Sequence, residues 1–230
     1  MADYKAIKGH NIQTVAGDPS VLQVGDIWYS NTTRKIRGAK LGAGAWSSGG
    51  DTGTARYFNG ALGTQTAGLI ATGYSNQTSS MITNSEEYDG SAWAEGNDIN
   101  TGGVYLYACC GTQTAGLMGG RTSDPPPGDQ CEEYNGTSWA EVNNYATPRY
   151  QAGGAGTQTA GIVFGGGWPS VLAITETYDG TNWTEVNDMN TSRTNVSGCG
   201  TQTATLCIGG YPPKALVEEY NGTSWTEIAD

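Results

Sequence analysis

Gly156-Thr157-Gln158-Thr159-Ala160 is one of four copies of the same five residues, the others beginning at Gly63, Gly111 and Gly200. Successive copies lie 48, 45 and 44 residues apart. A second phrase follows each at a steady distance: Tyr, Asp or Asn, Gly, two residues and Trp, as in Tyr178-Asp179-Gly180 to Trp183. Self-similarity at a period in the forties, with one Trp and several glycines per unit, marks a repeated β module.

The third unit parses most cleanly. Arg149 to Ala155 is a small-residue strand, Thr157-Gln158-Thr159 a turn, and Ala160-Gly161-Ile162-Val163-Phe164 the most apolar strand. Gly165-Gly166-Gly167 ends it. Ile174-Thr175-Glu176-Thr177-Tyr178 alternates with period two, the pattern of a half-buried strand. Asp179-Gly180 is a hairpin signal, because turns that match strand twist need positive φ. Trp183-Thr184-Glu185-Val186 is the outer strand. Four such strands make one blade of a propeller.

Residues 1–46 differ. They hold Lys5, Lys8, Arg34, Lys35, Arg37 and Lys40, six of the eleven basic residues. Val21 to Val24, Ile27 to Tyr29 and Ile36 to Leu41 read as strands, with a turn at Asn31 to Lys35. This segment is either a divergent first blade or an attachment module ahead of residues 47–230. Five blades are preferred, since Trp46, Trp93, Trp139, Trp183 and Trp225 are evenly spaced and 230 residues divide into five units near the period.

An apolar strand ending in Gly-Gly, a Tyr-Asp before a turn, a Trp a few residues later and an Arg at the first strand (Arg56, Arg149, Arg193) resemble the kelch repeat of β-propellers. Gly103 stands in place of the Arg in the second unit, and Thr72-Gly73 in place of Gly-Gly in the first. The likeness spans about residues 54–228 and implies an all-β propeller, not an activity. Gly25 to Thr33, followed by Lys35-Ile36-Arg37, is similar to a segment of bacteriophage tail-fibre and other virion proteins. The Gly-Thr-Gln-Thr-Ala copies are similar to repeat proteins of marine phages. That resemblance implies a virion or extracellular surface location and other virion proteins as partners.

Propeller geometry sorts the loops. The first-to-second and third-to-fourth turns leave one face, and there the repeats are nearly identical. Second-to-third loops and blade links leave the other face and differ in every unit. These variable loops carry the candidate binding residues Tyr74, Arg121, Asp124, Trp168, Tyr211 and Lys214. Rigid aromatics beside prolines suit sugar-ring stacking or protein contacts, and they suit packing on their own loops equally. The repeated Trp and Tyr-Asp-Gly phrases read as scaffold, with Ala and Gly near the axis and Trp at the rim.

Charge and composition exclude several classes. Acidic residues outnumber basic ones 22 to 11, which argues against nucleic acid. No apolar run is long enough to span a bilayer, so no membrane insertion is expected. The amino terminus lacks the basic and apolar regions of a signal peptide. His10 is the one histidine, which removes Ser-His-Asp and Cys-His arrangements and His-rich metal sites from the repeats. No cofactor and no metal site is expected, although Asp98 and Asp188 at blade links leave Ca²⁺ open. Cys110 and Cys199 take the place of Ala155 and read as small buried residues. Repeated carboxylates, Glu86-Glu87, Glu132-Glu133, Glu218-Glu219 and Glu95, Glu141, Glu185, Glu227, read as a solvated face or edge guard.

The expected function is non-enzymatic: structure or adhesion, with variable loops meeting a host-surface receptor or glycan. The alternatives are a self-assembling structural subunit, in which homo-oligomers form, and a carbohydrate-active enzyme.

Overall fold

Short apolar runs punctuated by Gly turns favour strands over helices, and every regular element among the described residues is a strand. The computed structural model describes residues 13–15, 27–30, 32, 34–38, 48–102, 108–121, 128–167, 169–212 and 215–228. Two compact units divide the chain, residues 1–48 and 49–230.

In the first unit, β1 (Gln13–Val15), β2 (Ile27–Ser30) and β3 (Lys35–Gly38) form one sheet in that order. β2 and β3 are an antiparallel hairpin, as read from the sequence, but β1 runs parallel to β2. In the repeats, by contrast, neighbouring strands pair antiparallel. Val21 to Val24 and Trp46 lie outside the described residues.

The second unit is four four-stranded antiparallel sheets, one per repeat, in a propeller-like series. Blade 1 is β4 (Gly60–Thr64), β5 (Ala67–Ala71), β8 (Ser85–Tyr88) and β9 (Trp93–Glu95), with a small hairpin, β6 (Tyr74–Ser75) and β7 (Ser80–Met81), in its middle loop. Blade 2 is β10 (Ala108–Thr112), β11 (Ala115–Arg121), β12 (Gly128–Tyr134) and β13 (Trp139–Val142). Blade 3 is β14 (Gly153–Thr157), β15 (Ala160–Phe164), β16 (Thr175–Tyr178) and β17 (Trp183–Val186). Blade 4 is β18 (Ser197–Thr201), β19 (Ala204–Ile208), β20 (Val217–Tyr220) and β21 (Trp225–Ile228).

Successive first strands β4, β10, β14 and β18 pack side by side. Their approach explains the small residues: a Cβ at Gly154 would lie 3.0 Å from the Cys109 nitrogen. The core lies between blades. Leu69 and Ala71 of blade 1 pack with Met118, Tyr134 and Trp139 of blade 2, and Ile99 of the link completes the cluster. Ala155, Ile162 and Phe164 meet Val196, Cys207, Tyr220 and Trp225 in the same way, with Met189 as the link residue. Each large side chain buried there contributes roughly 1.5–3 kcal/mol. Every repeat Trp also lies against the Tyr of its own blade, at ring distances of 5.0, 4.9, 4.8 and 5.1 Å in blades 1 to 4.

The repeated phrase is now explained residue by residue. Gly156 has φ of 100°, and a Cβ there would lie 2.2 Å from the Ala160 oxygen. Only Gly fits. Gln158 reaches back one blade and donates from Nε2 to the carbonyls of Gly116, 3.2 Å, and Tyr134, 3.0 Å. Gln113 and Gln202 make the same pair of bonds to blades 1 and 3. The phrase is a hairpin turn and a clasp between blades at once.

Two further clasps repeat. Link residues Asn97, Asn143 and Asn187 donate to the carbonyls of Thr137, Thr181 and Thr223 in the next blade. On the third strands, Glu86, Glu132, Glu176 and Glu218 are buried, not solvated. This corrects the edge-guard reading for the first Glu of each pair. Each accepts two backbone N–H bonds from the preceding link, as Glu176 does from Ala146 and Thr147. Arg56, Arg149 and Arg193 pair with three of them and also donate to nearby carbonyls.

All five cysteines are free thiols. Cys110 is buried as its interchange with Ala155 implies, but Cys199 is exposed. The reason is positional: blade 4 has no described blade beyond it to cover that strand.

Candidate functional site

The two ends of the blades are built differently. On one end, Gly180 sits against Thr159, and Gly90, Gly136 and Gly222 sit against Thr66, Thr114 and Thr203. The Tyr-Asp/Asn-Gly turn thus touches the Gly-Thr-Gln-Thr turn in every blade. Asp179 Oδ1 holds its turn by accepting from the N–H groups of Thr181 and Asn182, and Asp89, Asn135 and Asn221 do likewise. Four copies of one surface result.

The opposite end is held by a repeated backbone bridge. The residue after the first-strand Arg pairs with the segment that follows the second strand: Tyr57 with Tyr74, Tyr150 with Gly167, and Thr194 with Tyr211. Each bridge exchanges two N–H···O bonds, at 3.1 and 2.9 Å for Tyr57 and Tyr74. Side chains on either side of this bridge therefore vary without disturbing the blade.

In blade 1 the freedom is spent on aromatics. Tyr57 is 42% exposed and Phe58 41% exposed, with ring centroids 4.8 Å apart. Tyr74 lies 5.4 Å from Tyr57, and the exposed Met81 pairs across the small hairpin with Tyr74. Phe58 has φ of 58°. The bridge imposes this left-handed backbone at each copy, for Gln151 has φ of 58° and Asn195 of 54° at the matching positions. Asn tolerates that conformation, whereas a bulky ring does so at a cost. A strained residue kept on an exposed loop is an observation that points toward use of its side chain.

Of the residues read from the sequence, Tyr74 is half-buried in this aromatic cluster and Tyr211 is 57% exposed at the same bridge in blade 4. Arg121 closes β11, with its side chain outside the described residues. Asp124, Trp168 and Lys214 lie outside them as well. Tyr57 and Phe58 were not singled out from the sequence. The available signal was their place directly after Arg56, where the other units carry Tyr150-Gln151 and Thr194-Asn195. Thr194 Oγ1 and Gln151 Oε1 meet at 3.1 Å and tie the ends of blades 3 and 4 together.

Such ring faces offer stacking, the chemistry that holds a sugar ring or an apolar protein side chain. The buried carboxylates are committed to backbone N–H groups and arginines. Among the described residues, no cluster of three His, Cys, Asp or Glu side chains is placed to hold a metal ion. Asp98 accepts from the Thr83 hydroxyl and Asp188 from the Thr175 N–H.

Comparison with models of known protein families returns no match, and comparison with curated protein sequences returns none either.

Proposed function

We propose that this chain is a non-enzymatic, kelch-like propeller of a virion or other extracellular surface, whose variable loop end contacts a host receptor or glycan. The observation that carries this reading is the exposed pair Tyr57 and Phe58 packed with the half-buried Tyr74, joined at the equivalent place in blade 4 by the exposed Tyr211. Aromatic rings supply large contact area at low conformational cost, so exposing them on a rigid bridge favours recognition. The phage-type likeness of residues 25–37 supports a virion partner and location.

The test is binding of the purified full chain to host cells and to a panel of surface polysaccharides. Replacing Tyr211, Tyr74 and Trp168 by Ala is expected to abolish retention while leaving the folded signal intact. Unchanged retention overturns the loop-end reading. Release of soluble sugar during the same incubation favours the carbohydrate-enzyme alternative instead.

A further inference from the structure

Each blade presents a leading face to the next blade and a trailing face to the one before. On the leading faces of blades 1, 2 and 3, Leu69, Leu117 and Ile162 are fully covered, as are Ala71 and Phe164. Blade 4 builds the same face, and among the described residues it is exposed. Ile208, in the place of Phe164, is 41% exposed, Leu206 is half-buried, and Cys199 and Glu219 are exposed.

The trailing faces show the complementary pattern. Gly116, Gly161 and Thr205 are buried in blades 2 to 4, with Tyr134, Tyr178 and Tyr220 beside them. In blade 1 the matching Gly68 and Tyr88 are half-buried, and Gln65 is exposed. Among the described residues, Gln65 is the one repeat Gln with no carbonyl to clasp.

We infer that the leading face of blade 4 receives the trailing face of blade 1 from a second copy of this chain, reproducing head-to-tail the joint that the chain already makes three times within itself. The clasp, the tyrosine and the small residue each find a counterpart, while the chain's own Gly49 and Gly50 already lie beside Tyr88 and Ser91 as Gly96 and Asn97 lie beside Tyr134 and Thr137. Gln65 meets the carbonyls of Thr205 and Tyr220, as Gln158 meets those of Gly116 and Tyr134. The Tyr88 hydroxyl donates to Glu219, as Tyr178 does to Glu133 at 2.8 Å and Tyr134 does to Glu87. Gly68 lets Leu206 and Cys199 approach, as Gly161 does for Leu117 and Cys110. Burial of Ile208 and Leu206 drives the contact. The described strands β1 to β3 include a parallel pair, and residues 1–46 carry no Gly-Thr-Gln-Thr turn, so the cognate clasp belongs to blade 1. A head-to-tail joint is heterologous and yields a closed ring or a filament. This inference stands apart from the loop-end reading and survives its failure.

The geometry supplies a direct test. A Cβ on Gly161 would lie 3.2 Å from Cys110 Sγ, within reach of a disulfide. At the proposed joint the same pair is Gly68 and Cys199, and a Cβ on Gly68 meets nothing in its own blade closer than 3.6 Å. Full-length Gly68→Cys under mild oxidation is expected to give a ladder of reducible dimers and higher species on a gel, lost in Gly68→Cys with Cys199→Ser. Wild-type protein is expected to sediment above monomer mass at high concentration, and Ile208→Asp to return it to monomer. A strict monomer with a freely reactive Cys199 overturns the proposal. So does a disulfide formed within one chain, or a monomer whose Cys199 is shielded, because either means the chain covers its own open face.

Discussion

Arg149 and Glu176 meet at 2.7 Å with neither side chain reaching solvent. Burial lowers the Arg149 pKa, against the opposing pull of Glu176, and the ring of Tyr145 lies 5.3 Å from the guanidinium carbon. The carboxylate is the knot of blade 3, since it also takes the N–H groups of Ala146 and Thr147. Arg149→Met leaves that charge buried with its cation gone and is expected to cost about 3–5 kcal/mol. Urea unfolding measures it. A loss below about 1 kcal/mol, the range of an exposed pair, would mean that the knot is not closed in solution.

Thr72 is buried with φ of 64°, and its hydroxyl has no partner. Blades 3 and 4 place Gly165 and Gly209 there, both with φ of 65°. Thr72→Gly removes the left-handed strain and the unpaired hydroxyl, at the cost of two buried carbons and some backbone entropy. A net gain of about 1 kcal/mol is expected in thermal or urea unfolding. A loss would show that the Thr72 side chain packs better than its backbone suffers.

The Gln clasp gives a paired comparison. Gln158→Ala strands two carbonyls between blades and is expected to cost about 1–3 kcal/mol. Gln65→Ala, in dilute monomeric protein, is expected to cost close to nothing, because Gln65 is exposed. Equal losses at both positions would deny the clasp its inter-blade role.

Alkali should loosen the blade interfaces. Desolvation pushes the thiols of Cys109, Cys110 and Cys207 from an ordinary 9.0 up to about 12. Burial raises Tyr134 and Tyr178 too, and their bonds to Glu87 and Glu133 add to the shift. A raised folded value means that the contribution is complete below the unfolded value and is lost as pH climbs toward the folded one. Stability is therefore expected to hold at pH 8 and fall from about pH 9 to 12, by about 1.4 kcal/mol per pH unit for each group within its window. Urea midpoints that stay flat across that range would contradict the burial of these groups.

The period, the blade boundaries and the Tyr–Trp pairs were legible because each repeats in all four units, and turn chemistry fixes the register. The buried carboxylates were misread. Adjacent Glu residues on a strand must face opposite ways, and composition does not say which one faces in. The unused clue was Thr177, which replaces the second Glu in blade 3 while Glu176 persists. The role of Gln in the repeated phrase was hidden for another reason: its partners are carbonyls of the previous blade, which no side-chain pattern reports. Phe58 was passed over because its left-handed backbone comes from the Tyr57–Tyr74 bridge, a contact across seventeen residues of sequence.

The most direct measurement of the central claim is to compare wild type with Phe58→Asn for stability and for binding to host cells in one experiment. Asn occupies the same left-handed position at Asn195, so the fold is expected to stay as stable or gain up to about 1 kcal/mol. Binding is expected to fall sharply, because the exposed ring is gone. A stable Phe58→Asn protein that binds as well as wild type would contradict recognition by the aromatic loop end.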